Sequence, residues 1–155
     1  MNEELLKTYA LRANELLSSY VHLHDKILKV SGTFKSFFKN LFIKPVNFEQ
    51  LHNDSAILLN QSNSLNNELN AYRSTSFGNL SEDQKKYINQ LLAFTGKLNI
   101  TLQLLEERQL LLYRKSQGDR HRWKEYSSIE RQYKDSIEEY MEEGKKLNGF
   151  MDLIY

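Results

Sequence analysis

The chain has 155 residues, of which 40% are hydrophobic and 26% charged, with a formal net charge of +1 and no cysteine. That length suits one domain with a sizeable core, and that balance excludes global disorder. The missing cysteines exclude disulfides, thiolate zinc sites, iron–sulfur clusters and thiol nucleophiles, and the near-neutral charge removes any global attraction to nucleic acid.

The N-terminal residues Met1 to Lys7 carry Glu3 and Glu4 where a signal peptide carries base, and no apolar h-region follows. No run approaches the roughly 20 apolar residues of a membrane span. The cytoplasm is the expected compartment. One proline and six glycines are few helix breakers, which favours long helices.

In the first segment, alternating steps of four and three connect Leu6, Tyr9, Ala13, Leu16, Tyr20, Leu23, Ile27, Val30, Phe34, Phe37 and Leu41. This is a heptad-type stripe, and Leu17, Val21, Leu28, Phe38 and Phe42 widen it into a face suited to a multi-helix bundle. Ser31-Gly32-Thr33 interrupts the segment without shifting its phase, and Pro45 closes it. A second helix starts after Asn47, a capping residue, with Gln50 three residues on. Its seam is Leu51, Ser55, Leu58, Ser62, Leu65, Leu69 and Tyr72, and asparagines crowd its outer face. Arg73 to Asn79 reads as a loop.

Ser81-Glu82-Asp83-Gln84 is a capping box that opens a third helix, expected to run to about Gln117. Its core positions are Ile88, Leu91, Thr95, Leu98, Leu102, Leu105, Gln109 and Leu112. A fourth helix is expected from about Asp119 to beyond Lys146, with a seam through Trp123, Tyr126, Glu130, Tyr133, Ile137, Tyr140, Gly144 and Leu147. Short connections make antiparallel neighbours. The expected fold is therefore all-α: residues 1–155 as one elongated up-down four-helix bundle.

An unbroken first helix is much longer than the second, so its N-terminal part should overhang and expose Leu5, Leu6, Tyr9 and Leu11. Two solutions follow: a break near Gly32, with a short extra helix at 33–43 folding across one end, or pairing of the overhang with a second copy. The break is the preferred expectation.

Candidate chemistry is sparse. Glu49 and His52 form one Glu-x-x-His unit, whereas a di-iron bundle uses two such units and two further glutamates. Rough antiparallel register could bring His121 towards the Glu49–His52 end as the third member of a poor ligand set, and neither a metal nor a cofactor is expected. Antiparallel register roughly levels Tyr20, Tyr72 and Tyr140, which with Thr95 could line a ligand pocket inside the bundle. Glu130 on a core seam, near Gln109, reads as a register-setting polar contact rather than a general acid.

Two surfaces stand out. Phe34, Phe38 and Phe42 lie on one face of a short basic amphipathic stretch suited to a membrane surface or to capping the bundle. Arg108, Arg114, Lys115, Arg120, Arg122 and Lys124, with Trp123, surround the turn before the fourth helix. Nearby acids dilute that charge, so nucleic acid is not the expected partner. No Gly-rich phosphate loop, Gly-x-Ser-x-Gly or His-Glu-x-x-His occurs.

The resulting expectation is a non-enzymatic bundle for protein–protein interaction or scaffolding, with a homodimer as one form. The alternatives are a small-molecule sensor with a tyrosine-lined interior and a membrane-surface protein using Phe34 to Phe42.

Overall fold

Heptad spacing and scarce helix breakers produce four long helices in the computed structural model, which describes residues 2–37, 46–120 and 123–150. They are α1 (Asn2–Phe37), α2 (Phe48–Ser76), α3 (Glu82–Ser116) and α4 (Trp123–Asn148). Among the described residues there is no strand. Each helix runs antiparallel to the next, forming a four-helix bundle.

Local signals set several helix ends. Asn47 accepts from the Gln50 amide at 2.9 Å, and Ser81 and Gln84 form the reciprocal capping box. At the far end of α3, Gly118 takes a φ of 95°. The Asp119 amide donates to Arg114 and the Gly118 amide to Lys115, the Schellman arrangement that a left-handed glycine allows.

The second helix continues to Ser76 and ends in a 3-10 turn, Phe77–Asn79, where composition suggested a loop from Arg73. Ser74 and Thr75 return their hydroxyls to the carbonyls of Asn70 and Ala71, which keeps polar residues compatible with a helix. Phe77 packs against the core, with Arg73 over its ring.

The expected break near Gly32 does not occur, because α1 is helical through Gly32 to Phe37. One interior glycine costs a helix only about 1 kcal/mol. The proposed short helix at 33–43 therefore begins inside α1, and its part at 38–43 lies outside the described residues. The expected N-terminal overhang is also absent. Arg12 grips Glu68 and Lys26 meets Asp54, a register that seats Tyr9 against Tyr72 at 5.6 Å. Leu6 and Tyr9 are buried, whereas Leu5 and Leu11 are exposed. The Arg12 guanidinium holds the Glu68 carboxyl down at about 2. Both groups reach solvent, so the pair sets register more than it stabilises.

Packing is uneven. Helices α2 and α3 lie close together, as do α3 and α4, whereas α1 stands further from its neighbours. Side-chain size gives the reason. The α2–α3 seam buries Ser55, Ser62 and Thr95, bridged by Asn66 to Thr95 and by Asn99 to Ser62 and Asn63. The α3–α4 seam buries Thr101 and Ser136, and Gly144 lets the Phe94 ring approach to 3.3 Å of where a Cβ would stand. On α1, among the described side chains, the buried positions are Leu6, Tyr9, Leu16, Tyr20, Leu23 and Ile27, with Ala13 the small exception. Large side chains on α1 keep its backbone at a distance, and clefts open on both of its flanks.

Candidate functional site

The larger flank opening is the cleft between α1 and α4, with a volume of about 600 Å³. Its floor is apolar: Ala13 from α1, Tyr87 and Phe94 from α3, and Tyr140 from α4. Leu17 and Leu147 line its walls. Its lips are Leu11 (56% exposed) and Val21 (43%) on α1 and Met141 (48%) on α4. Asn14, Lys145 and Asn148 are its polar points. The cleft exists because Gly144 and Ala13 lack bulk at the level where the large side chains of α1 hold the two helices apart.

A chain of aromatic and polar groups leads from the cleft floor into the bundle. The Tyr140 ring meets Phe94 and stands edge-on to Tyr20 at 5.7 Å. The hydroxyls of Tyr20 and Tyr133 lie 2.9 Å apart, and the Tyr133 hydroxyl lies 2.7 Å from His24 Nδ1. With neutral His24 accepting at Nδ1, Tyr133 donates to it and accepts from Tyr20, so every hydroxyl is used. Burial pushes the Tyr133 hydroxyl up to about 12 and raises Tyr20 further, so both stay protonated. Burial lowers His24, and the Arg108 charge acts the same way against Asp25 and Glu130.

Beside this chain, Arg108 of α3 bonds Glu130 of α4 through Nε and lies 5.8 Å from the centre of the Tyr126 ring. Burial pushes the Glu130 carboxyl up, but hydrogen bonding and charge from Arg108 and Lys134 outweigh it and the net shift is down. An ionised, paired carboxylate is the opposite of a general acid. Arg108 is only 8% exposed and Gln109 is 0% exposed. Among the described residues, Arg108 Nη1 and both amide atoms of Gln109 have no hydrogen-bond partner.

The residues expected from the sequence are only partly brought together. Tyr20 and Tyr140 meet, but Tyr72 lies with Tyr9 near the other end of α1, so the expected levelling of the three tyrosines does not hold. The α1–α2 register fixed by Arg12–Glu68 and Lys26–Asp54 is the reason. Thr95 donates to Asn66 at 2.8 Å within the α2–α3 seam. Glu49 is exposed, while His52 pairs with Glu106 at 2.7 Å and stacks on Tyr113. Among the described residues, no group of three or more His, Asp or Glu could hold a metal ion, and His121 lies outside them.

At the end near the α3–α4 turn, Arg114, Lys115, Arg120 and Lys124 are exposed, whereas Arg108 turns inward. Trp123 is the first residue of α4 and Phe34 falls in the last turn of α1. Arg122, Phe38 and Phe42 lie outside the described residues.

Sequence reasoning missed the inward role of Arg108, the part of His24 and the cleft itself. The first had a signal: Glu130 on a core seam needs a cation from the facing helix, and Arg108 adjoins the core position Gln109. Comparison with protein-family models, curated proteins and solved structures returns no match.

Proposed function

We propose that the protein is a non-catalytic interaction bundle whose binding face is the cleft between α1 and α4. One observation carries this reading: Leu11, Val21 and Met141 stand exposed around an apolar floor, an arrangement that costs free energy in water and is recovered when a partner covers it. The cleft is an open groove flanked by two helices, the shape that accepts the apolar face of an amphipathic helix. The polar groups described above are satisfied by one another or lack a reactive neighbour, which supports binding over catalysis.

A photo-crosslinking residue placed at position 141 in cells tests this directly, with position 100 on α3 as control, since Ile100 is also exposed. The expected result is crosslinked polypeptide from position 141 but not from 100, lost when Leu11→Lys is added. Equal crosslinking from both positions would overturn the assignment.

A small-molecule ligand is the second reading. A volume of about 600 Å³ with apolar walls and a few polar groups falls within the range of ligand pockets. A metabolite that raises the melting temperature of the wild type but not of Tyr140→Ala would favour it. The membrane-surface alternative rests on Phe34 to Phe42, most of which lies outside the described residues. No helix among the described residues is long and apolar enough to cross a membrane.

A further inference from the structure

We propose that the partner segment filling the α1–α4 cleft is an acidic amphipathic helix, held with one of its carboxylates on Lys145. This rests on the cleft being the binding face and adds the chemistry of what binds there.

Charge selects the acid. Lys145 is the one ionised residue among those that line the cleft, and no carboxylate lines it. Lys145 makes no ion pair among the described residues, whereas its neighbour Lys146 is held by Glu142 and Glu143. Asn14 and Asn148 stand in the same lining and add amide donors. The clefts between α1 and α2 differ. One is lined by Arg12 and Glu15 and the other by Lys26 and Asp54, so each already holds both signs. A lone cation beside an apolar floor is complemented by an anion that also carries apolar surface.

Register gives the spacing. Tyr20 stands opposite Tyr140 on antiparallel helices, which brings Lys145 to the level of Asn14 and sets Met141 one turn further along, towards Val21. Met141 and Lys145 are four residues apart on α4, a rise of about 6 Å. The cleft therefore has an apolar end at Val21 and Met141 and a cationic level at Lys145. A helix that matches both presents a large apolar residue and an Asp or Glu three or four positions apart on its buried face.

Two features select a helix over other anions. Leu11, Val21 and Met141 stand exposed on the lips, so a small amphiphile sunk to the floor leaves them in water, whereas a helix about 10 Å across covers them. The backbone groups of α1 and α4 along the cleft are satisfied within their own helices. An extended peptide would find no main-chain partner above that apolar floor, while a helix satisfies its own backbone.

A phage-displayed library of helical peptides of about four turns, randomised along one face and panned against the intact protein, tests the match. Wild type should enrich peptides with an acid three or four positions from Leu, Ile, Met or Phe. A synthetic peptide of the enriched sequence should bind Lys145→Glu about tenfold more weakly than wild type. Replacing the acid of that peptide by lysine should restore binding to Lys145→Glu. Lys124→Glu, at the other end of α4, should leave binding unchanged. Both lysines are exposed, so circular dichroism should not change.

Enrichment of peptides without an acid, or equal binding to wild type and Lys145→Glu, would overturn the acidic partner. If Leu11→Lys still abolished that binding, the cleft would stand as the binding face without it. No enriched peptide, with dodecanoate binding wild type but not Lys145→Glu, would replace the helix by a small anionic amphiphile. No enriched peptide and no bound dodecanoate would overturn the proposal, and crosslinking from position 141 would then decide the cleft by itself.

Discussion

Arg108 and Gln109 are neighbours on α3, yet they carry opposite costs. Arg108 is buried beside Glu130, which offsets much of its desolvation, while the Gln109 amide is enclosed without a partner among the described residues. A buried, unpaired amide costs about 1–3 kcal/mol. Gln109→Leu, close in volume, should therefore raise the unfolding free energy by about 1–2 kcal/mol in urea titration. A loss of stability would mean that the amide is satisfied. Tyr133→Phe should act the other way, because it strips the one hydroxyl that joins Tyr20 to His24. The expected loss is about 1–3 kcal/mol, since the Tyr20 hydroxyl stays buried.

His24 adds a pH dependence. Its folded pKa lies below the ordinary 6.5, so between that value and 6.5 the unfolded chain binds more protons. The contribution is fully present above 6.5 and is lost as pH falls through the folded value. Unfolding measured between pH 7.5 and 5.5 should show declining stability, and His24→Gln should flatten the decline. Equal slopes in both proteins would assign the effect elsewhere.

Among the elements, α2 shows how far periodicity reaches. Its buried residues are Leu51, Ser55, Leu58, Ser62, Leu65, Leu69 and Tyr72, the seam visible in the sequence. A helix repeats its face every few residues whatever it packs against, so the face is a local property. The small residues on that seam did not reveal their consequence, the close approach of α3. The glycines of α3 and α4 separate propensity from packing. Nothing lies within 4 Å of a Cβ placed on Gly96, in the middle of α3. Gly96→Ala should thus gain helix propensity and stabilise by about 0.5–1 kcal/mol in thermal unfolding. An alanine at Gly144 meets Phe94 instead, so its gain should be smaller.

For the whole molecule, three helices joined by small-residue seams carry a fourth that is held by larger side chains. The bonds Arg12–Glu68, Lys26–Asp54 and Tyr20–Tyr133 tie α1 to α2 and α4 through side chains, across clefts on both flanks. Opening α1 exposes less tightly packed surface than opening α3, which lies between α2 and α4. Hydrogen exchange should therefore release α1 amides well before those of Leu91 to Leu105 in α3. Equal protection in both helices would show that the bundle opens only as a unit.

The sequence by itself determined four helices, the inward faces of α2 and of α1 from Leu6 to Ile27, the caps at Asn47 and Ser81 and the stop at Gly118, because each depends on residues within a few positions of one another. The tertiary structure alone decided the α1–α2 register, and with it the separation of Tyr72 from Tyr20. It also decided the inward turn of Arg108 and the cleft beside Met141. Those features depend on how far apart two helices settle and how they slide along each other. Both are set by the combined bulk of facing side chains, which the periodicity of one helix does not contain.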